Sequence, residues 1–130
     1  MSQVTRRIVG PPWGALDKVK GTPQYEVIVR VSDIVGDRMP KNAAWRGCPI
    51  VKVDDEFSVI GPRLKIDPAK MKGDICVSAL HSIWPYIQAM RFGAEFSWAD
   101  KPGRAFECCP DPDGLVVFEL KKGKTLERKW

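Results

Sequence analysis

The 130-residue sequence contains a single histidine, His81, and no pair of cysteines in a Cys-x-x-Cys arrangement. One imidazole excludes any site that needs several histidines, such as a three-histidine zinc centre. The longest uncharged stretch, 75–90, is interrupted by polar residues and a proline, so it is too short and too polar to span a membrane. We recognise no secretory signal, because the apolar stretch 8–12 is short and ends in two prolines. These absences predict a cytoplasmic protein with no membrane contact.

The chain has the length of one domain with one core. Its 11 glycines and 11 prolines are more than an average sequence contains, which predicts a loop-rich fold with short elements. Residues 1–23 carry several of these prolines and glycines and are interpreted as an extended N-terminal arm. A single domain is expected over 24–121, followed by a basic C-terminal tail over 122–130.

The formal net charge is +5, and the basic excess is concentrated at the two ends of the chain. A nucleic-acid-binding domain usually carries its basic residues on the folded body, and no basic motif with interleaved aromatic residues is present. A nucleic-acid partner is therefore not expected. The basic ends fit either solvated tails that aid solubility or segments that dock on an acidic partner.

The hydrophobic pattern predicts an α+β fold with a small, mostly antiparallel sheet and one helical element packed on it. Alternating or β-branched residues indicate strands over 25–31, 56–60, 104–109 and 115–120. Asp74 is a suitable N-cap for a helix that begins at about Ile75. Pro85 interrupts that helix, so we expect it to be either kinked or split into two short helices.

Four cysteines, Cys48, Cys76, Cys108 and Cys109, carry most of the functional signal. In a reducing cytoplasm they are not expected to form disulfides. Cys48 lies in a loop, Cys76 at the start of the helix where amides and the helix dipole favour a thiolate, and Cys109 at the entry to a turn. Thiolates at such positions suit zinc or an iron–sulfur cluster. Cys48 and Cys109 are each followed by proline, and a Cys-Pro pair also ends the bacterial ferredoxin motif.

Other observations count against a metal site. Successive cysteines up to Cys108 are 28 and 32 residues apart, which matches no standard zinc spacing. Cys108 and Cys109 would point to opposite faces of a strand, so both rarely ligate one ion. Free cysteines are also among the most buried residues, so all four could be core residues. His81 follows Cys76 by five residues, and their side chains diverge on an ideal helix.

Several motifs, taken in order, resemble an uncharacterised family of small bacterial and archaeal proteins of under 100 residues. The resemblance covers about 24–121 and rests on Gly47-Cys48-Pro49, Asp55-Glu56-Phe57, Ile75-Cys76, Phe92-Gly93, Cys109-Pro110-Asp111 and Val117-Phe118-Glu119-Leu120. It implies three recurring thiols, at Cys48, Cys76 and Cys109, and leaves Cys108 and His81 outside the pattern. The arm and the basic tail are additions to that pattern, and they suggest attachment to another subunit.

The leading hypothesis is a small protein that binds zinc or an iron–sulfur cluster through Cys48, Cys76 and Cys109, as an accessory subunit of a larger enzyme. One alternative is an interaction module without metal, in which the cysteines are buried and tryptophans such as Trp45, Trp84 and Trp98 contact a partner. Another is a small enzyme with Cys76 as a thiolate nucleophile, although no neighbouring base is evident.

Whether the chain is an enzyme and whether it forms homo-oligomers both stay open. The acidic residues Asp54, Asp55 and Asp111 are interpreted as turn residues.

Overall fold

A computed structural model describes residues 23–38, 40, 47–112 and 114–126. It confirms the α+β class: five antiparallel strands form one sheet in the order β3-β2-β1-β5-β4, with one α-helix packed on one face. The strands are β1 (Gln24–Ile34), β2 (Glu56–Ile60), β3 (Arg63–Ile66), β4 (Arg104–Cys108) and β5 (Val116–Leu126). The helix is α1 (Val77–Arg91), and a short 3-10 helix, Val35–Arg38, follows β1.

The long central strands β1 and β5 organise the sheet. Alternate residues of β1, Val27, Val29 and Val31, are buried under the helix, as their period of two predicts. β1 pairs with β5 over almost its whole length, with bulges near Glu26 and Ser32. β5 continues to Leu126, into the segment predicted as a basic tail, because its polar end still pairs with the start of β1. Residues 127–130 and the predicted arm up to residue 22 lie outside the described chain.

The helix begins later than predicted and is not divided. Its N-cap is Cys76 rather than Asp74. Pro85 lies inside one continuous helix, so the expectation of two short helices is wrong and α1 is not clearly kinked there. Pro85 and His81 are both exposed, so the His81 carbonyl, which has no helical amide partner at position 85, lies on the outer side of the helix and not in the core. The described part of the chain contains no helix long and apolar enough to span a membrane.

The core lies between α1 and the inner face of the sheet. Ile83, Ile87 and Met90 of the predicted helical stripe are at most 1% exposed, and they pack on the valines of β1 and on Leu120. The main sheet contacts of α1 are with β1, β5 and β4. The helix therefore lies off-centre and away from the β2–β3 end of the sheet. Its N-terminus, the end of β4 and the loop after Gly47 surround one opening, which is described below.

Glu107 is an unusual residue on the inner face of the edge strand β4. Its Oε1 atom is buried and has no hydrogen-bond partner among the described residues. Burial raises the pKa of this carboxyl, and a hydrogen bond from Trp98 opposes part of that rise. The pKa of Glu107 is thus higher in the folded chain than its ordinary value of 4.5. Its contribution to the free energy of unfolding is therefore fully present below about pH 4.5, and it is lost as pH rises through the pKa of the folded state.

The variant Glu107→Gln is therefore expected to be more stable than the native chain at pH 7.5 and nearly equal to it at pH 4. Urea unfolding midpoints at the two pH values measure this difference. Glu95→Gln is the control of opposite sign, because hydrogen bonds from Lys122 and from the Gly103 amide lower the pKa of Glu95. Its stability should fall below native at pH 7.5 and approach native in acid. Equal pH trends for the two variants would contradict the assignment.

Candidate functional site

A cavity of about 270 Å³ opens at the end of the sheet where β1 ends and β5 begins. Its floor is the buried inner face of the sheet, including Val31, Phe57 and Phe118, and one wall is the first half of α1. Three of the four cysteines line it: Cys48, Cys76 and Cys109. Residues far apart in the sequence thus contribute thiols to one largely apolar opening, as the leading hypothesis requires.

Cys48 is positioned by a close contact between two loops. Gly47 has φ +72°, a left-handed conformation that glycine adopts at little cost. A Cβ atom on Gly114, in the loop that follows Cys109, would lie 3.1 Å from the Gly47 carbonyl oxygen. The loop itself is anchored to the end of β1, because the Val35 amide donates to the Leu115 carbonyl at 3.0 Å. The two Cys-Pro segments are therefore held side by side.

Cys76 contributes its thiol from the N-terminus of α1. As the N-cap residue it has extended dihedral angles, φ −71° and ψ 118°, and its carbonyl accepts the Leu80 amide at 2.9 Å. Its side chain makes no capping hydrogen bond, so the sulfur is not used to satisfy the helix end. The positive end of the helix dipole there favours a negatively charged sulfur.

Cys109 is the most buried of the three, with 8% of its surface exposed. Its Sγ accepts a hydrogen bond from the Val116 amide at 3.1 Å, and its own amide donates to the Val116 carbonyl at 3.0 Å. The thiol lies 4.0 Å from the Asp111 carbonyl, to which it donates. An amide that donates to sulfur stabilises negative charge on it, as in protein sites that ligate metal through thiolates.

The fourth cysteine and the histidine lie elsewhere. Cys108 is exposed and points to the opposite face of β4 from its buried neighbour Cys109, as strand alternation predicts. His81 is exposed and lines a different groove, beside β3. No histidine lines the cavity, so Cys76 has no imidazole base there.

Two carboxylates, Asp55 and Asp111, also line the cavity, although the sequence indicated only turn residues. Asp55 does have a turn function, since its Oδ2 accepts the Lys52 amide at 2.9 Å. Neither carboxylate has a sequence signal for the cavity, because the approach of their loops to the cysteines depends on tertiary packing. Of the tryptophans predicted to contact a partner, Trp45 is outside the described residues, whereas Trp84 is partly buried and Trp98 exposed, and neither lines this cavity.

The three thiols line one cavity, but they do not form a ready-made metal-binding group. Thiolates bound to one zinc ion at about 2.3 Å lie roughly 3.8 Å from one another. Across the ranges that the structure describes, no three His, Cys, Asp or Glu side chains surround one point closely enough to ligate a single ion. The three cysteines therefore share an opening without forming a compact single-ion cage.

Gly73 fixes the loop that carries Cys48, and it offers a test of that support. A Cβ atom at Gly73 would lie 2.6 Å from the Ile50 carbonyl oxygen, a backbone atom that cannot rotate away. Gly73→Ala is therefore expected to shift the Cys48 loop, to destabilise the fold by about 1–3 kcal/mol, and to change the rate at which Cys48 reacts with a thiol reagent.

Gly123→Ala is the matched control for Gly73→Ala. Its Cβ atom would approach the Glu26 Oε1 atom to 2.7 Å and the Glu26 Cβ atom to 3.2 Å; the first ends a flexible side chain that can move, and the second requires a shift of only a few tenths of an ångström. Urea unfolding and Cys48 labelling of both variants measure the difference. Similar losses in the two variants would show that the Ile50 contact does not hold the loop.

Comparisons with protein-family models, with curated proteins and with solved structures found no match for this chain. The resemblance to a family of small bacterial and archaeal proteins accordingly stays a prediction. The class that the fold defines is a small α+β domain with one thiol-lined cavity.

Proposed function

We propose that this chain binds an iron–sulfur cluster in the cavity, through the thiolates of Cys48, Cys76 and Cys109. The observation that carries the proposal is that these three side chains, from three separate loops or element ends, line one cavity. Cysteines that serve only as core residues have no reason to meet at an opening. Cys48 and Cys76 are also half-buried rather than fully enclosed, so an incoming ion can reach them.

We choose a cluster over a single zinc ion on the size of the cavity. A cluster is larger than one ion, so its thiolate ligands are spaced more widely than the roughly 3.8 Å of a zinc site. The cavity volume of about 270 Å³ leaves room for more than one ion.

The surroundings of the thiols suit a cluster electrostatically. The Val116 amide donates to the Cys109 sulfur, and the helix N-terminus lies at Cys76. Both stabilise the negative charge that the thiolates carry. Apolar walls such as Phe57 and Ile83 limit access of water. Three thiolates leave one iron for another ligand, which would come from Asp55 or Asp111, from solvent or from a partner.

Metal analysis of protein purified without oxygen tests the proposal directly. After reconstitution with ferrous iron and sulfide, iron and acid-labile sulfide should be bound in near-equal amounts, with broad visible absorbance. One equivalent of zinc without visible absorbance would instead assign a zinc ion to the three thiols. Less than about a tenth of an equivalent of either metal would overturn the thiolate site altogether.

A role as an accessory subunit is the second part of the proposal. The described domain carries further surface grooves besides the thiol cavity. The surface offers contact sites for a partner: Trp98 is 62% exposed and stacks on Phe96 at 5.0 Å between ring centroids, with Tyr86 edge-on to both. Exposed aromatic clusters of this kind are typical of protein interfaces. They also support the alternative of an interaction module without metal, which the metal analysis separates from the cluster.

A further inference from the structure

The β2–β3 end of the sheet carries an apolar groove that is separate from the thiol cavity. Because α1 packs chiefly on β1, β5 and β4, the groove lies open between the helix and β3. Val77, Leu80 and Trp84 line it from the helix at spacings of three and four, so they share one helical face. Val59 and Leu64 line it from the sheet. Val77 is 77% exposed, so apolar side chain of the helix meets solvent in this groove.

The strand that borders this groove is an edge strand. β3 is the terminal strand of the sheet order and pairs only with β2. An edge strand presents backbone donors and acceptors on its outer side, and an extended peptide can pair with them. The register places Leu64 and Ile66 opposite Val59 and Phe57, on the inner face beside the groove. Strand alternation directs Arg63 and Lys65 to the outer face, and Arg63, at the start of β3, also borders the groove.

The charges on β3 select the kind of peptide that can pair with it. Arg63 and Lys65 form none of the ion pairs found among the described residues. No Asp or Glu lines the groove. A second copy paired antiparallel with Leu64 opposite Leu64 would place Arg63 opposite Lys65, and like charges directly across a strand pair are destabilising. An acidic strand would instead place opposite charges across the pair.

We propose that the outer edge of β3 binds an extended segment of a partner protein in which apolar and acidic residues alternate. The segment adds a sixth strand to the sheet. Its apolar side chains lie beside Leu64 and cover Val77 and Trp84, and its acidic side chains lie opposite Arg63 and Lys65. The site is distinct from the thiol cavity and does not depend on a bound cluster, so it survives failure of the cluster proposal.

Peptide titrations followed by amide NMR test this proposal with the full-length chain. The probe is a capped seven-residue peptide of alternating Glu and Ile, and the comparison peptide alternates Lys and Ile. The Glu peptide should perturb the Leu64 and Ile66 amides and bind about tenfold more tightly than the Lys peptide, since two cross-strand charge pairs change sign. The double variant Arg63→Glu, Lys65→Glu should reverse that preference.

The control variant Lys101→Glu, Lys124→Glu has the same change in net charge but lies away from β3, and it should keep the native preference. Equal binding of the two peptides, or perturbation centred on the other edge strand, β4, would overturn the proposal. So would the absence of any shift at saturating peptide. Concentration-dependent shifts of Leu64 and Ile66 without peptide would assign the edge to a second copy of the chain instead.

Discussion

Serine at position 109 is expected to reduce the iron bound per chain at least tenfold, whereas serine at position 108 leaves it at the native level. The two cysteines are adjacent in sequence, yet Cys109 is buried and lines the cavity while Cys108 is exposed on the opposite face of the strand. A serine hydroxyl is a much poorer ligand for a cluster than a thiolate. Iron and sulfide analysis after identical reconstitution of both variants measures the difference.

The same measurement extends to the other two thiols. Cys48→Ser and Cys76→Ser should each lose the cluster or convert it to a form with altered visible absorbance. Because the Cys109 sulfur also accepts a hydrogen bond from the Val116 amide, Cys109→Ser changes a contact of the fold as well, so circular dichroism of each variant accompanies the metal analysis. Loss of iron from Cys108→Ser as well as from Cys109→Ser would remove the argument for a specific three-thiol site.

The second large expected effect is on the stability of the fold and not on metal binding. Ile87→Ala is expected to lower the free energy of unfolding by about 2–5 kcal/mol, because Ile87 has no exposed surface and lies at the centre of the contact between α1 and the sheet. Truncation removes buried methyl groups and leaves a cavity that rigid strands cannot fill. Val77→Ala, on the same helix but 77% exposed, should change stability by less than about 0.5 kcal/mol.

Urea or thermal unfolding of the two helix variants checks this prediction. Ile87 does not line the thiol cavity, so the folded fraction of Ile87→Ala should still bind the cluster. A small effect, comparable to that of Val77→Ala, would mean that the helix does not pack on the sheet through this face.

Local pattern was sufficient to predict most of the sheet. β2 begins and ends where its pattern indicated, and β1 extends beyond the predicted 25–31 because its ends pair with β5. The strand β3 was missed, since Arg63–Ile66 contains only two apolar residues and follows a Gly-Pro turn. Its strand conformation comes from pairing with β2, which a single segment does not encode.

In the helix, the position of Pro85 outweighs the general rule that proline breaks a helix. A proline within a helical pattern predicts a break, yet Pro85 is accommodated because it lies on the exposed side, where the freed carbonyl lies outside the core. The N-cap prediction failed by two residues because Asp74 has the better intrinsic preference, whereas the structure starts the helix at Cys76. Packing of the helix stripe on the sheet, and not the cap residue, sets that boundary.

The sequence was sufficient to predict which cysteines form the candidate site, but not how they come together in the fold. The sequence indicated Cys48, Cys76 and Cys109 from their loop and helix-end settings, and the structure places all three at one cavity. Convergence over such separations depends on how β1, β4 and β5 align, and also on the Gly47–Gly114 contact. None of these is visible in the residues around any one cysteine, which is also why Asp55 and Asp111 were not predicted to line the cavity.

The wide separation of the three thiols along the chain also constrains the order of assembly. A motif of neighbouring cysteines can capture metal on a nascent peptide, but here the three cysteines lie at one cavity that strands from both halves of the chain build. A cofactor would then enter a finished domain and, by mass action, hold it against unfolding. Iron starvation or oxidative damage would in that case shorten the lifetime of the protein in the cell, as a consequence of thermodynamics alone.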